Sequence, residues 1–140
     1  MRVVVLLVLA AVAAAMPAVA GSADDAASND PRLREVTYDA KAVVTVPVKR
    51  GVVTLVALDP EESIAEVAAG LGGDCAKAEA AWCIAAQPGG RHLFVKPKST
   101  ASAANTLAVV TDRRTHSFRF VVLADGDPRQ PVYQIGRAHV

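Results

Sequence analysis

The chain is poor in aromatic side chains: three Phe, two Tyr and one Trp amount to 4% of its 140 residues. So few rings leave little material for the aromatic platform on which a sugar-binding surface is built. An excess of charge is missing too, since 15 Lys+Arg stand against 14 Asp+Glu. A net charge of +1 offers no basic field to hold a nucleic-acid backbone, and no direct nucleic acid binding is expected. The pairs Arg113-Arg114 and Arg32/Arg34 sit beside Asp112, Glu35 and Asp39, so they read as turn and rim charges. The length allows one domain of ordinary size and no two-lobed enzyme with a cleft between its halves.

Catalytic signatures are absent as well. Ser99, Ser102 and Ser117 have no Gly-x-Ser-x-Gly context. His92 and His116 fall in or beside expected strands and read as half-exposed strand residues. Glu61-Glu62 reads as a helix start or a solvated turn, and Gly70-Leu71-Gly72-Gly73 lacks the strand-to-helix setting of a phosphate loop. No enzyme activity, cofactor or metal site is expected.

What the chain does have begins at its N-terminus. The mean hydropathy of +0.30 is unevenly spread, because residues 1–20 contain only two that are not apolar, Arg2 and Pro17. A positive start, an apolar run from Val3 to Ala15 and a small-x-small site ending at Ala20 form a signal peptide over residues 1–20. The run is short for a bilayer span of about 20 residues; the alternative is an uncleaved anchor. Cleavage would remove one positive charge, Arg2, and leave a neutral exported protein. Residues 21–29, made of Gly, Ser, Ala, Asp and Asn, read as a disordered leader.

Export changes what two cysteines mean. Cys75 and Cys83 enclose seven residues, and an oxidising compartment favours a disulfide between them. A zinc site or catalysis is the rival reading, but the spacing is not Cys-x-x-Cys and the His residues are scattered.

From residue 30 the apolar residues come in short Val- and Thr-rich runs separated by turn residues. Residues 42–46 and 52–58, joined through Lys49-Arg50-Gly51, predict a hairpin. Asp59-Pro60-Glu61-Glu62 has the composition of a helix start, with acids and Pro in the first turn, and predicts a short helix over the Ala-rich 64–69. A strand is the alternative there, because Ile64 and Val67 do not fix a period. Residues 82–86 and 92–96 flank a Gly-containing loop of hairpin length, and 106–111 and 117–123 bracket a four-residue turn. Six or so strands at this spacing predict an all-β fold, a β-sandwich over residues 30–133.

A family resemblance adds to this. Asp30-Pro31-Arg32-Leu33-Arg34 followed by Tyr38-Asp39 and Val43 resembles the opening of the TrbG/CagX family, which includes the ninth VirB component of type IV secretion systems. Gly51-Val52-Val53-Thr54, Glu62-Ser63-Ile64, Trp82, Leu93-Phe94-Val95-Lys96-Pro97, Asn105-Thr106-Leu107 and Thr111-Asp112-Arg113-Arg114 follow in that family's order. The resemblance spans residues 30–123. It implies a periplasmic, outer-membrane-associated structural subunit in a homo-oligomeric ring, assembling with an outer-membrane lipoprotein and a TonB-like partner. It also implies that residues 61–69 are extended. His116 stands where the family usually has Tyr, and Cys75 and Cys83 bracket an insertion that many members lack. The alternative is an unrelated exported β-sandwich that binds a carbohydrate or serves in adhesion.

Residues 134–140, Gln-Ile-Gly-Arg-Ala-His-Val, look like one translated frame of a common sequencing adapter. On that reading, Pro131-Val132-Tyr133 begins the last strand of an N-terminal domain that family members continue. A natural polar tail is the alternative.

Overall fold

The computed structural model describes residues 10–15 and 29–138. Residues 10–15 carry no regular secondary structure. The rest of the expected signal peptide, and the leader up to residue 28, lie outside the described residues. Nine strands and no helix form among the described residues: β1 (Leu33–Thr37), β2 (Val44–Val48), β3 (Thr54–Ala57), β4 (Ile64–Ala69), β5 (Trp82–Ala86), β6 (His92–Pro97), β7 (Asn105–Thr111), β8 (Thr115–Val122) and β9 (Gln134–Ala138).

They make two sheets, one ordered β1-β9-β3-β6-β5 and the other β2-β8-β7-β4, packed as a β-sandwich. The alternation in the sequence dictates which side chains fill the space between them. In β2, Val44, Val46 and Val48 are buried while Thr45 is exposed. In β6, Leu93 and Val95 turn inward while His92 and Phe94 face out. Phe118 and Phe120 of β8 join Trp82 of β5 at the centre, with the Trp82 and Phe120 ring centroids 6.5 Å apart. One Trp and two Phe are therefore enough aromatic volume to seat a core built mainly from Val and Leu.

Two hairpins form as expected, β5 with β6 and β7 with β8, both antiparallel. The expected hairpin of 42–46 with 52–58 does not form. Instead β2 pairs in parallel with β8, and β3 lies in the other sheet between β6 and β9. The Lys49–Gly51 turn thus carries the chain across the sandwich. Val52 N–H donates to Lys49 C=O (3.0 Å) and Gly51 adopts φ +77°, the left-handed conformation this turn position requires. Pro47 sits on β2, an edge strand, where its missing N–H costs the sheet nothing.

The helix expected over 64–69 is strand β4, in line with the family resemblance. The start signal is real but is used in a turn: Asp59 Oδ1 accepts from Glu61 N–H (2.9 Å), and Glu62 N–H donates to Asp59 C=O (2.9 Å). Continuation as a helix loses because Ile64 N–H and C=O are both taken by Gly90 and Gly89 of the β5–β6 loop (2.8 and 2.9 Å), while β4 runs antiparallel to β7.

Gln134–Ala138 lies as β9 between β1 and β3, parallel to both, with Ile135 fully buried. The adapter reading concerns the origin of those codons, which is separate from where the residues lie.

Candidate functional site

Three groups of side chains gather the residues singled out in the sequence. The first is a buried polar cluster. Glu62 follows the Asp59 turn and enters the sandwich with only 3% of its surface exposed. Its Oε1 accepts from Thr111 Oγ1 (2.9 Å) and from Arg114 Nε (3.2 Å), and lies 2.8 Å from His116 Nε2. Oε2 accepts weakly from Asp59 N–H (3.3 Å). On the far side of the imidazole, Arg137 Nε donates to His116 Nδ1 (3.4 Å). An arginine can only donate, so Nδ1 is the acceptor and Nε2–H donates to Glu62. His116 is thereby held neutral. Burial pushes its pKa below the usual histidine value, against the Glu62 hydrogen bond that raises it.

Aromatic and cationic groups close this cluster. Tyr38 stands edge-on to His116 at 5.2 Å between centroids, and its hydroxyl donates to Thr115 C=O (3.0 Å). The Arg114 guanidinium lies 4.6 Å over the Tyr38 ring, and Arg137 lies 5.2 Å from the same ring. Phe118 stacks on His116 from below. The histidine thus packs between the rings of Tyr38 and Phe118.

The readings of Glu62 as a helix-start or solvated acid and of His116 as a half-exposed strand residue are therefore corrected. Both are buried and joined to each other. Sequence reasoning missed the pair because 54 residues separate them, and only the turn at Asp59 aims Glu62 inward. A buried His–Glu pair can serve a nucleophile, but both ring nitrogens are occupied here, by Glu62 and Arg137. What the arrangement does chemically is tie the β3–β4 turn to the β7–β8 hairpin.

The second group anchors β1. Arg32 forms a two-pronged ion pair with Asp30 (Nη2–Oδ2 2.6 Å, Nε–Oδ1 2.9 Å) and donates to Tyr133 Oη (3.1 Å) while lying 4.5 Å over that ring. Hydrogen bonding to Arg32 lowers the Asp30 carboxyl to about 2. Arg32 C=O accepts from Tyr133 and Gln134 N–H (2.8 and 3.1 Å), which fixes the start of β9 against β1. Arg34 is exposed on β1 and takes no part.

The third group holds the loop that carries the disulfide. Cys75 and Cys83 are bonded, with Cα atoms 4.4 Å apart. Asn105, fully buried, accepts from Leu71 N–H (2.9 Å) and donates to Gly72 C=O (3.1 Å). Gly73 C=O accepts from Ile84 N–H (2.8 Å), and a Cβ at Gly73 would stand 2.8 Å from the Ile84 side chain.

Other marked residues serve separately. Gly51 N–H donates to Pro97 C=O (2.8 Å), and Arg113 Nε donates to Glu61 C=O (2.9 Å). Lys96 lies half-buried on β6, beside Phe94, which stays 50% exposed on the outer face. Among the described residues, no three His, Cys, Asp or Glu converge as a metal ligand set.

Asn105, Thr111 and Arg114, spaced along the β7–β8 hairpin, thus each hold a segment that precedes it in sequence. Comparison with known families gives a match: the CagX model, described as conjugal transfer protein, covers residues 31–138. The chain belongs to the CagX family. The match covers almost all of the described sandwich, from the residue after Asp30 to the end of β9. A comparison with curated proteins finds no match. In this CagX-family chain the three groups above tie turns and loops to the strands of the sandwich.

Proposed function

We propose that this CagX-family chain is a structural subunit of the outer-membrane core complex of a type IV secretion or conjugal transfer system. The family match over residues 31–138 is the observation that carries this reading. The protein is exported to the periplasm and joins a homo-oligomeric ring with an outer-membrane lipoprotein and a TonB-like subunit. The Cys75–Cys83 bond favours an oxidising compartment over the cytosol. The singled-out polar residues are spent on joining strands, which suits a scaffold more than a catalyst.

Co-expression of the tagged chain with the lipoprotein and TonB-like subunits of a conjugal transfer system from the same source tests the reading. The expected result is a large detergent-extracted assembly containing all three, lost when the signal segment 1–20 is deleted. A monomer that fractionates away from both partners overturns it.

A further inference from the structure

The sandwich is open along one side. There β4 ends one sheet and β5 ends the other, and a cleft runs between them. Val67 and Ala69 of β4 and Ile84 and Ala86 of β5 point inward and pack on the core, yet each stays only partly buried because, among the described residues, no strand closes the seam. Both ends of the cleft are occupied by the protein's own backbone. At one end Gly89 and Gly90 bind Ile64, and at the other Gly72 N–H donates to Ala69 C=O (3.1 Å).

Between these ends no strand among the described residues pairs with the outer side of β4. Gly70 N–H donates to Thr106 C=O, so by alternation Ala68 and Glu66 face β7, and Val67 turns its N–H and C=O into the cleft. Two of the usual edge defences are missing, since β4 has no Pro and no Lys, and its one bulge lies at its start, between Ile64 and Glu66, away from Val67. The charged residues lining the cleft are Glu66 and Asp74, with no cation among them.

We infer that this seam accepts an extended, basic segment of a partner protein, which adds as a strand beside β4. Its alternate side chains are small and apolar and enter the cleft against Val67, Ile84 and Ala86. Those between them carry Lys or Arg and face outward toward Glu66, as strand alternation requires. The protein's own leader has the wrong chemistry, since residues 21–29 carry Asp24 and Asp25, no cation and no apolar residue larger than Ala. A second copy is less suited: none of its edge strands, β1, β2, β4 and β5, carries a net positive charge. The inference does not rest on the secretion reading above.

Fluorescence anisotropy with the purified full chain tests it, using a labelled peptide of alternating Val and Lys about eight residues long. A Val/Glu peptide and an N-methylated Val/Lys peptide are the controls. The Val/Lys peptide is expected to bind about tenfold more tightly than the Val/Glu peptide, and backbone N-methylation to abolish binding. Val67→Pro removes an N–H that the fold does not use, so it should weaken binding while leaving the melting midpoint nearly unchanged. If Val67→Pro unfolds the chain, the double variant E66K/D74K, at two exposed positions, replaces it and should reverse the peptide preference. Equal binding of both peptides, or binding indifferent to these substitutions, overturns the proposal. Concentration-dependent dimerisation that Val67→Pro abolishes also overturns it, because a second copy then fills the seam.

Discussion

Glu62 illustrates how one side chain can hold three elements. Its carboxylate satisfies Thr111, Arg114 and His116 at once, and of these Thr111 and His116 are buried away from any water that could substitute. Glu62→Ala should therefore cost about 3–5 kcal/mol, the range for removing one partner from a buried charged group. Urea unfolding checks this; a loss below 1 kcal/mol would mean that water fills the gap. His116 adds a pH dependence of definite sign. Its folded pKa lies below the unfolded value near 6.5, so the unfolded chain binds more protons as the pH drops. Its stabilising contribution is complete above about pH 6.5 and is lost as the pH falls toward the lowered folded value. The unfolding midpoint should fall between pH 7.5 and 5.5 in the parent and fall less in His116→Phe. Asp30 and Asp127, each lowered to about 2 by an arginine two residues on, act in a separate window, between pH 3.8 and 2.

Arg137 makes the opposite case in the same cluster. It is 4% exposed, its Nη2 has no hydrogen-bond partner, and burial lowers its pKa from the ordinary arginine value, opposed by Tyr38 and Glu62. A cation that is desolvated and incompletely bonded is dispensable if an apolar group can fill its space. Arg137→Met should raise stability by about 1–3 kcal/mol, measured by the same urea titration. A fall in stability would show that the bonds to Thr37 C=O and His116 outweigh the burial of the charge. The residue-level signals that were legible in sequence were the local ones, such as Asp30 and Arg32 two apart. Those that depended on distant chain segments meeting, Glu62 with His116 above all, had no local signature.

At the scale of elements, the sequence spoke clearly where strand pairing is local. The hairpins of β5 with β6 and β7 with β8 follow from alternation and a short polar turn. It was misleading where pairing is not local. Residues 59–62 carry helix-start chemistry, and 64–69 carry Ala, yet hydrogen bonds from the β5–β6 loop and from β7 override that propensity. The Lys49–Gly51 turn resembles a hairpin connection, but both runs it joins have an inward apolar face that fits opposite sheets equally well. The disulfide loop belongs to this scale too. Closing the short loop from Cys75 to Cys83 should contribute about 2–3 kcal/mol on the chain-entropy account. Reduction, or the double variant C75A/C83A, should lower the melting midpoint. Hydrogen exchange should then rise at Ile84, whose N–H is held by Gly73 C=O just outside the loop that the bond closes. Unchanged protection at Ile84 would show that Asn105 alone keeps the loop in place.

At the scale of the whole molecule, the sandwich depends on strands that meet late in the sequence. β1 pairs with no strand but β9 among those described, and β9 joins it to β3. Parallel pairs of this kind have no turn to hold their register. Here register is set by Ile135, which enters the core, by Thr54, which bonds Val132 C=O, and by the Arg32–Tyr133 contact just before the strand. A chain ending at Tyr133 keeps the last two of these but gives β1 no partner and exposes the space filled by Ile135. It should therefore lose protection throughout residues 33–37 and melt at a lower temperature than the parent. The specific sequence of β9 matters less than its alternation, because Ile135 and position 137 face inward while Gly136 meets only ordinary contacts with Arg34 and Glu35. Replacing residues 134–138 by alternating Thr and Val, with Val at 135 and 137, should restore the parent melting temperature or exceed it, since the buried cation is removed as well. Exchange at 33–37 in the two chains decides the matter. If truncation leaves it unchanged, β1 is held by the Asp30–Arg32–Tyr133 contacts alone; if the Thr/Val strand fails to restore it, the bonds of Arg137 are needed to seat β9.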